Sequence, residues 1–192
     1  TPHYQFFIIT RLPDTTLTIL NSNVKLVEKG NIFFSNLQTI TVTVNCVGIM
    51  GKGVALVAKH LVPDMFEYYQ KICETKQMRL GTPVMYDKHS PFLQTADEPK
   101  KILLFPTKQH WKTNSSIVGI RKGLEWLIEN QKKSKINSLA IPALGCGNGG
   151  LDWKTVGPMI YQHLLQLDIP VELYLPNQKI AKKYLEEDYL LS

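Results

Sequence analysis

Asn45-Cys46-Val47-Gly48-Ile49-Met50-Gly51-Lys52-Gly53 is the stretch that decides the fold, because it joins a β-branched run at residues 39–44 to a helical pattern that starts at residue 53. A second glycine-rich stretch, Gly145-Cys146-Gly147-Asn148-Gly149-Gly150-Leu151, follows an apolar run at residues 138–141 and also precedes a helical pattern. The chain therefore contains two strand–loop–helix units of the same kind. If both strands run parallel in one sheet, the two glycine loops face one cleft at its carboxyl edge.

Both loops have the composition of phosphate-binding loops. Glycine accepts positive φ angles and lets the backbone approach a ligand closely, so loop N–H groups and a helix N-terminus can point at two phosphates. The ligand that this arrangement predicts is a nucleotide diphosphate. Neither loop fits GxGxxG or GxxxxGK followed by Ser or Thr, which disfavours a dinucleotide oxidoreductase or a P-loop protein. The alternative is that each loop is an ordinary βα turn.

Length and composition favour one soluble domain. The 192 residues are 44% hydrophobic and 20% charged, which is enough for one sizeable core. No run of about 18 apolar residues occurs, and the apolar residues 6–9 lack the basic and long apolar regions of a signal peptide, so no membrane segment is expected. The sequence begins at Thr1 rather than at a methionine, which predicts a piece of a longer protein.

The three cysteines form neither a CxxC motif nor an even set, which favours a reducing, cytoplasmic setting. Cys46 and Cys146 lie inside the glycine loops, whereas Cys73 lies in a helical pattern. Either loop cysteine could be a nucleophile, but neither has an adjacent histidine or acid to act as its base. We interpret both as small side chains that fill the loops.

The formal net charge of +6 favours a polyanionic partner. Lysines cluster at residues 100–101, 132–135 and 182–183. The last two clusters fall at predicted helix ends, where solvated lysines that complement the helix dipole explain them better than a binding surface does.

Apolar and β-branched runs predict eight strands, and 3.6-residue periodicities predict five helices. The strands are expected at residues 5–10, 17–20, 25–29, 39–45, 83–86, 102–106, 138–142 and 171–175, and the helices at residues 53–61, 64–76, 116–133, 153–167 and 178–189. Asp64, Ser116 and Asp152 are the predicted helix N-caps.

Strands separated by helices of this length predict an α/β fold, a three-layer αβα sandwich with a mixed central sheet. Residues 1–23 are predicted to be an N-terminal extension that contains an extra strand pair, and residues 24–192 a single domain. The polar loop at residues 87–101 is long enough to form part of the cleft rim.

Four motifs, in this order, resemble those of a macrodomain. They are Gly30-Asn31-Ile32, the run from Val44 to Leu56, Phe105-Pro106-Thr107-Lys108-Gln109-His110-Trp111, and the run from Pro142 to Trp153. More narrowly, they are similar to the motifs of DarG macrodomains, antitoxins that remove ADP-ribose from DNA in DarT–DarG toxin–antitoxin systems. The resemblance covers residues 25–175 and implies a macrodomain over residues 24–192. It also implies that the chain is an ADP-ribosyl glycohydrolase that releases ADP-ribose from a base in DNA. By analogy with DarG proteins, this base is expected to be thymine.

The resemblance implies ADP-ribose as the ligand, with no cofactor. The implied partners are ADP-ribosylated, single-stranded DNA and a cognate ADP-ribosyltransferase toxin, and we expect a cytoplasmic monomer without a membrane partner. DarG proteins also carry a C-terminal toxin-binding domain, to which nothing in this sequence corresponds, so we expect the catalytic half or a free-standing relative. The alternative functions are a non-catalytic reader of ADP-ribose and a hydrolase of protein-linked ADP-ribose.

The resemblance assigns roles to individual positions. It places Asn31 near the adenine, Asn45 beside the distal ribose and Lys108 at the catalytic centre. Many macrodomains have Asp at the position of Asn31, but an amide oxygen can accept the same bond from the adenine amine. Lys108 and Asn45 are the predicted catalytic residues. The residues predicted to contact ADP-ribose are Asn31, Ile32, Gly48, Ile49, Met50, Gly51, Gly53, Val54, Ala55, Thr107, Leu144, Gly145, Cys146, Gly147, Asn148, Gly149, Gly150 and Leu151.

The position of Lys108 makes it a candidate functional residue independently of the resemblance. It follows the apolar run at residues 102–106, so its side chain emerges at the carboxyl end of a buried strand. There it could be a counter-charge for phosphate or, if desolvated, a nucleophile. The alternative is a loop lysine in solvent.

The acid–base part of the chemistry stays open. In related terminal ADP-ribose glycohydrolases a comparable lysine attacks the anomeric carbon and an acid of the second loop assists it. In this chain no carboxylate precedes Asp152 in that loop, and we interpret Asp152 as a helix N-cap. The reaction would then be assisted by the substrate, or Asn45 and Lys108 would suffice.

His110 and Trp111 follow the candidate lysine and could stack on a nucleobase, although Trp111 could equally brace the loop against the core. Neither His110 nor any other histidine belongs to an HxxxH or CxxC-type spacing, so no metal site is predicted.

Overall fold

The computed structural model of the chain describes residues 7–10, 18–88 and 100–192. The strands are β1 (Phe7–Thr10), β2 (Thr18–Asn21), β3 (Val24–Val27), β4 (Thr39–Asn45), β5 (Val84–Tyr86), β6 (Lys101–Lys108), β7 (Leu139–Pro142) and β8 (Val171–Tyr174). The helices are α1 (Gly53–Leu61), α2 (Pro63–Glu74), α3 (Ile117–Asn130), α4 (Trp153–Leu164) and α5 (Glu187–Leu190), with 3-10 turns at Ile32–Phe34 and Lys182–Tyr184.

A mixed sheet of six strands, in the order β3-β8-β7-β4-β6-β5, forms the centre of the molecule. All neighbours in it are parallel except β5, which runs antiparallel to β6. Because β4 and β6 are parallel neighbours, Asn45 and Lys108 end at the same edge. A register shift between Val44 and Asn45 pairs Asn45 with Lys108, and such irregularities re-aim side chains at strand ends.

Helices cover both faces of the sheet. On one face, α3 and α4 bury side chains such as Leu124 and Ile160 against Phe105 of β6. On the other face, α1 and α2 bury Ala58 and Met65 against β4. Neighbouring residues of β6 alternate between these two cores, as the period of two in a strand requires. The predicted three-layer αβα sandwich with a mixed sheet is therefore confirmed.

Two of the three predicted N-caps are confirmed. The side chains of Ser116 and Asp152 accept bonds from the N–H groups of Gly119 and Lys154, respectively. The prediction for Asp64 is wrong, because α2 begins one residue earlier, at Pro63. Proline suits the first helical position since its φ is already fixed, so Asp64 falls inside the first turn, where its charge favours the helix dipole.

The helix predicted at residues 178–189 is also wrong. This segment contains only the turn Lys182–Tyr184 and the four-residue helix α5. Hydrogen bonds join this segment to other elements instead. The side chain of Gln178 donates to the carbonyl of Cys146, and the indole of Trp153 donates to the carbonyl of Tyr184. Short helices are marginal without tertiary support, so these contacts decide the conformation.

At the N-terminus, β1 and β2 pair antiparallel as a separate two-stranded sheet. The division into an extension at residues 1–23 and a domain at residues 24–192 stays a prediction. Most of the loop predicted to form part of the cleft rim lies outside the described residues. None of the helices in the described ranges has the length and apolar character needed to cross a bilayer.

Candidate functional site

A cleft of about 1080 Å³ lies at the carboxyl ends of β4, β6, β7 and β8. Its volume lies just above the range of roughly 300–1,000 Å³ that small-molecule sites occupy. Fourteen residues predicted to bind ADP-ribose or to act on it line this cleft: Asn31, Ile32, Asn45, Ile49, Gly51, Gly53, Val54, Ala55, Thr107, Lys108, Gly145, Gly147, Asn148 and Gly149. The two glycine loops therefore face one another, as their positions after parallel strands require.

Other predicted contact residues lie behind this lining. Met50, Leu144 and Cys146 are buried at 3%, 0% and 1% exposure, so their side chains belong to the cores that support the loops. The other predicted residues that do not line the cleft are Gly48, Gly150, Leu151 and His110. A sequence pattern that predicts a loop does not say which of its side chains point inward.

The amide of Asn45 is held by its own loop. Its Nδ2 donates to the carbonyl of Ile49 at 2.6 Å, and its Oδ1 accepts from the N–H of Val47 at 3.0 Å. The hydroxyl of Tyr69, a fully buried residue of α2, donates to the same Oδ1 at 3.0 Å. Asn45 therefore fixes the first glycine loop, and one N–H of its amide remains for a ligand.

The N-terminus of α1 supplies free donors to the first loop. The N–H groups of residues 51–55 have no acceptor among the described residues. The first N–H groups of a helix lack intrahelical partners and carry a partial positive charge, so they bind anions. Gly51, Gly53, Val54 and Ala55 in this stretch line the cleft.

The second loop is shaped by glycines with different roles. Gly145 has a φ of +78°, and a β-carbon on it would lie 2.7 Å from a methyl of Leu151. A β-carbon on Gly147 would meet nothing within 4 Å, and Gly147 lines the cleft. The N–H groups of residues 147–149 have no partner in the part of the chain that the structure describes. Together with the first loop, they surround a space suited to two phosphates.

Lys108 lies where the two loops meet. Its Nζ donates to the carbonyl of Asn148 at 2.8 Å. Burial lowers the pKa of Lys108 below its usual value of 10.5, and no carboxylate in the described residues offsets this effect. The amine is therefore easier to deprotonate than a lysine in solvent, which is what a lysine nucleophile needs. Lys108 is partly exposed and lines the cleft, so its amine combines partial burial with access to a ligand.

The carboxylate of Asp152 caps a helix instead of facing this amine. Its Oδ1 accepts from the N–H of Lys154 at 3.1 Å, and the residue does not line the cleft.

The loop cysteines are buried thiols. Desolvation by burial raises the pKa of Cys46 to about 11 and that of Cys146 to about 12. Both therefore stay protonated at neutral pH, and the interpretation as small loop fillers holds. No group of three His, Cys, Asp or Glu side chains that could hold a metal ion occurs within the described ranges.

Asn31, which also lines the cleft, caps the 3-10 turn Ile32–Phe34. Its Oδ1 accepts from the N–H of Phe33 at 3.1 Å. The buried ammonium of Lys100 donates to the carbonyls of Phe33 and Ser35 and so fixes the same turn. A carbonyl oxygen has two lone pairs, so Oδ1 of Asn31 can accept a second bond from a ligand.

Several lining residues were missed by reasoning from the sequence. They include Lys52, Lys112, Ser115, Tyr174, Pro176, Asn177 and Gln178. Residues 176–178 follow β8 directly, and the rule that ligands bind beyond the carboxyl ends of parallel strands could have found them. They were instead predicted to lead into a helix.

Fold and cleft together define a class of protein. A family model described as the Macro domain matches residues 42–160. The macrodomain of Mycobacterium tuberculosis DarG superposes with a TM-score of 0.72 at 37% identity, covering 80% of this chain and 99% of that one. The chain therefore belongs to the macrodomain family, within its DarG type.

Relatives with this domain are longer proteins. The chain is 45% identical over 199 residues to a DNA ADP-ribosyl transferase–DNA ADP-ribosyl glycohydrolase fusion protein of Thermosipho africanus, covering 94% of this chain and 51% of the relative. A solved structure of Thermosipho africanus DarTG in complex with ADP-ribose superposes with a TM-score of 0.83 at 46% identity, covering 88% of this chain and 46% of that chain. The chain thus spans about half the length of these relatives.

Proposed function

We propose that the chain is an ADP-ribosyl glycohydrolase that binds ADP-ribose in the cleft and removes it from thymine in DNA. The observation that carries this proposal is the partly buried amine of Lys108, with its lowered pKa, at the junction of two loops with free N–H groups. A relative at 45% identity is named as a fusion that includes a DNA ADP-ribosyl glycohydrolase, which supports the same activity.

The cleft provides a place for each part of ADP-ribose. The free N–H groups of residues 51–55 and 147–149 bind the diphosphate between the two loops. The adenine lies toward Asn31, at the end of the cleft where Phe33 and Tyr174 are also part of the lining. The distal ribose then lies beside Asn45 and Lys108, which brings its anomeric carbon to the lysine amine.

In this reaction the neutral amine of Lys108 attacks the anomeric carbon. The bond between this carbon and the base nitrogen breaks, and the base leaves with the bonding electron pair and takes up the proton that the attacking nitrogen loses. Water then hydrolyses the lysine–ribose adduct, which releases ADP-ribose and restores the amine. No carboxylate is required for the first step, because the nucleophile supplies the proton that the leaving base needs.

The same proposal includes a substrate, a partner and a cellular location. The substrate is ADP-ribosylated DNA in single-stranded form, and the fusion named in the relative suggests an ADP-ribosyltransferase toxin as the functional partner. We further propose a cytoplasmic monomer that needs no cofactor.

A direct assay separates this proposal from its alternatives. The chain is incubated with an ADP-ribosylated thymidine oligonucleotide, with a protein ADP-ribosylated on glutamate, and with free ADP-ribose, while release and binding are followed. We expect release from the oligonucleotide and binding of free ADP-ribose. Binding without release from either substrate would identify a reader, and release from the protein alone would identify a hydrolase of protein-linked ADP-ribose.

A further inference from the structure

Trp111 is a large aromatic side chain that the protein leaves in solvent at the edge of the cleft. Half of it is exposed (50%), and it lines the same cleft as Lys108. Trp153, in contrast, is fully buried and donates its indole N–H to a carbonyl. An exposed indole at the rim of a cleft is typical of a surface that contacts a partner.

The turn that carries Trp111 holds the ring in place. The carbonyl of His110 accepts both the N–H of Thr113, at 3.1 Å, and its hydroxyl, at 2.9 Å. The carbonyl of Gln109 accepts the N–H of Cys46 at 3.1 Å, which ties the turn to the first glycine loop. The imidazole of His110 stacks against the indole at 5.6 Å with an interplanar angle of 28°. His110 thus supports the ring from outside the cleft, and Trp111 presents it.

Positive charge accompanies this ring. The ammonium of Lys112 lies 5.1 Å from the centroid of the Trp111 ring, and both residues are exposed. Lys112 lines the cleft, as do Lys52 and Lys108, and Glu28 is the acidic side chain among the described lining residues. An exposed cation–π contact is weak, so an incoming base and phosphate can replace it.

The ring is close to the reacting centre. Trp111 follows Lys108 by three positions, so their Cα atoms are at most about 11 Å apart. Stacked nucleotides of one strand follow one another at about 3.4 Å, so a few nucleotides span this distance. A base can stack on an indole only when one of its faces is free, which favours a single strand over a duplex.

We propose that Trp111 and Lys112 form a subsite for a nucleotide that flanks the modified base on the same single strand, its base stacked on the indole and its phosphate paired with the ammonium. This inference rests on the proposed function and adds to it how the cleft selects DNA over a smaller ADP-ribosylated molecule. The neighbouring nucleotide contributes binding energy that a modified nucleoside lacks.

The test compares two substrates that share the reacting bond. kcat/KM is measured for ADP-ribosylated thymidine as a nucleoside and within a single-stranded oligonucleotide. The wild type should favour the oligonucleotide. Trp111→Ala should lower kcat/KM for the oligonucleotide roughly tenfold to hundredfold, chiefly through KM, and leave the nucleoside nearly unchanged. Trp111→Phe should restore most of the loss, because an aromatic face remains.

The lysine is tested by salt dependence. Lys112→Gln should reduce the slope of log(kcat/KM) for the oligonucleotide against log salt by about 0.7, the change expected for one phosphate contact on a single strand. Lys183→Gln is the matched control, since Lys183 lies 4.9 Å from the ring of Tyr184 but does not line the cleft. It should leave the slope unchanged.

Three outcomes would overturn the subsite. Equal losses on nucleoside and oligonucleotide in Trp111→Ala would show that the ring only braces the loop of Lys108. Equal use of both substrates by the wild type would show that no flanking nucleotide is bound. If Trp111→Ala kept full oligonucleotide activity but lost binding to a protein partner, the ring would be a contact for protein and not for DNA.

Failure of the proposed function is recognised separately. If the wild type releases ADP-ribose from neither substrate, the proposed activity is wrong, and the subsite is decided by binding of a fluorescent, unmodified oligonucleotide. Weaker binding to Trp111→Ala than to the wild type would still support the subsite. Equal binding would overturn it.

Discussion

At the scale of single residues, the proposed chemistry depends on the protonation of one amine. Burial holds the pKa of Lys108 below 10.5, and the hydrogen bond to Asn148 keeps the nitrogen between the two loops. A neutral amine can attack the anomeric carbon, whereas an ammonium can only neutralise phosphate charge. The two roles therefore have opposite pH dependences.

The pH profile of kcat/KM should separate these roles. Below the folded-state pKa of Lys108 the amine is protonated, so kcat/KM should rise with pH. The midpoint of this rise should lie below 10.5, and kcat/KM should level off at higher pH. Release of ADP-ribose from the oligonucleotide, measured at constant ionic strength, gives this profile. If kcat/KM falls as pH rises through that midpoint, Lys108 acts as a charge and not as a nucleophile.

Gly147 provides a test of the diphosphate site. A side chain there meets no protein atom within 4 Å and projects into the cleft, so Gly147→Glu should fold normally and exclude the ligand by bulk and charge. Calorimetry should show ADP-ribose affinity lower by at least about tenfold, with the melting temperature within about 2 °C of the wild type.

Asn137→Glu is a suitable control for this variant. It adds the same charge at an exposed position just before β7, at the opposite edge of the sheet. It should leave affinity unchanged. Unaltered binding by Gly147→Glu would show that the diphosphate lies elsewhere.

At the scale of elements, α2 supports the first glycine loop through one hydroxyl. The hydroxyl of Tyr69 lies 2.9 Å from the carbonyl oxygen of Asn45 and 3.0 Å from its Oδ1 and shares its one proton between them. Burial is the main reason that the pKa of this hydroxyl is raised. Tyr69→Phe leaves the buried oxygens of Asn45 with fewer donors, which should cost about 1–3 kcal/mol of unfolding free energy. ADP-ribose affinity should fall as well, because the loop proposed to bind the diphosphate loses its anchor.

Denaturant unfolding and calorimetry on Tyr69→Phe measure these effects, and Tyr68→Phe is the matched control. The ring of Tyr68 packs against Tyr86, and its hydroxyl makes no hydrogen bond with the described residues. It should behave as the wild type. A stable Tyr69→Phe variant with normal affinity would mean that the loop holds its shape without α2.

The elements also show what a single sequence can and cannot predict. The loop at residues 45–53 was predictable, since several glycines between a β-branched run and a helical pattern are typical of a loop that approaches a ligand closely. The position of Gly147 in the cleft lining and that of Cys146 in the core were not predictable, because both depend on backbone angles that the composition does not encode. The conformation of residues 178–189 was missed because its partners, Cys146 and Trp153, are distant in sequence.

At the scale of the whole molecule, alternation of strands and helices was enough to predict three layers. It could not give the strand order, in which β4 lies between β6 and β7, since that order depends on contacts across the whole chain. The resemblance of the motifs to DarG macrodomains is confirmed by the family match and by the superposed structures. The roles of Lys108, Asn45 and the loop residues stay predictions that only experiments on this chain can test.

Release of ADP-ribose in the cleft should need no metal ion. The described residues hold no cluster of ligands, and the proposed chemistry uses an amine and backbone N–H groups. Release of ADP-ribose from the oligonucleotide should therefore be unchanged by excess EDTA without added Mg²⁺. A loss in chelator that a divalent ion restores would show that a metal takes part.

The most direct test replaces the amine and measures chemistry and binding separately. Lys108→Ala should lower turnover on the ADP-ribosylated oligonucleotide by at least about a hundredfold and keep ADP-ribose affinity within about tenfold, because the amine stabilises the transition state more than the bound ligand. Lys101→Ala, at the other end of β6, is the control and should keep full activity. Full turnover by Lys108→Ala would contradict a catalytic role for this lysine.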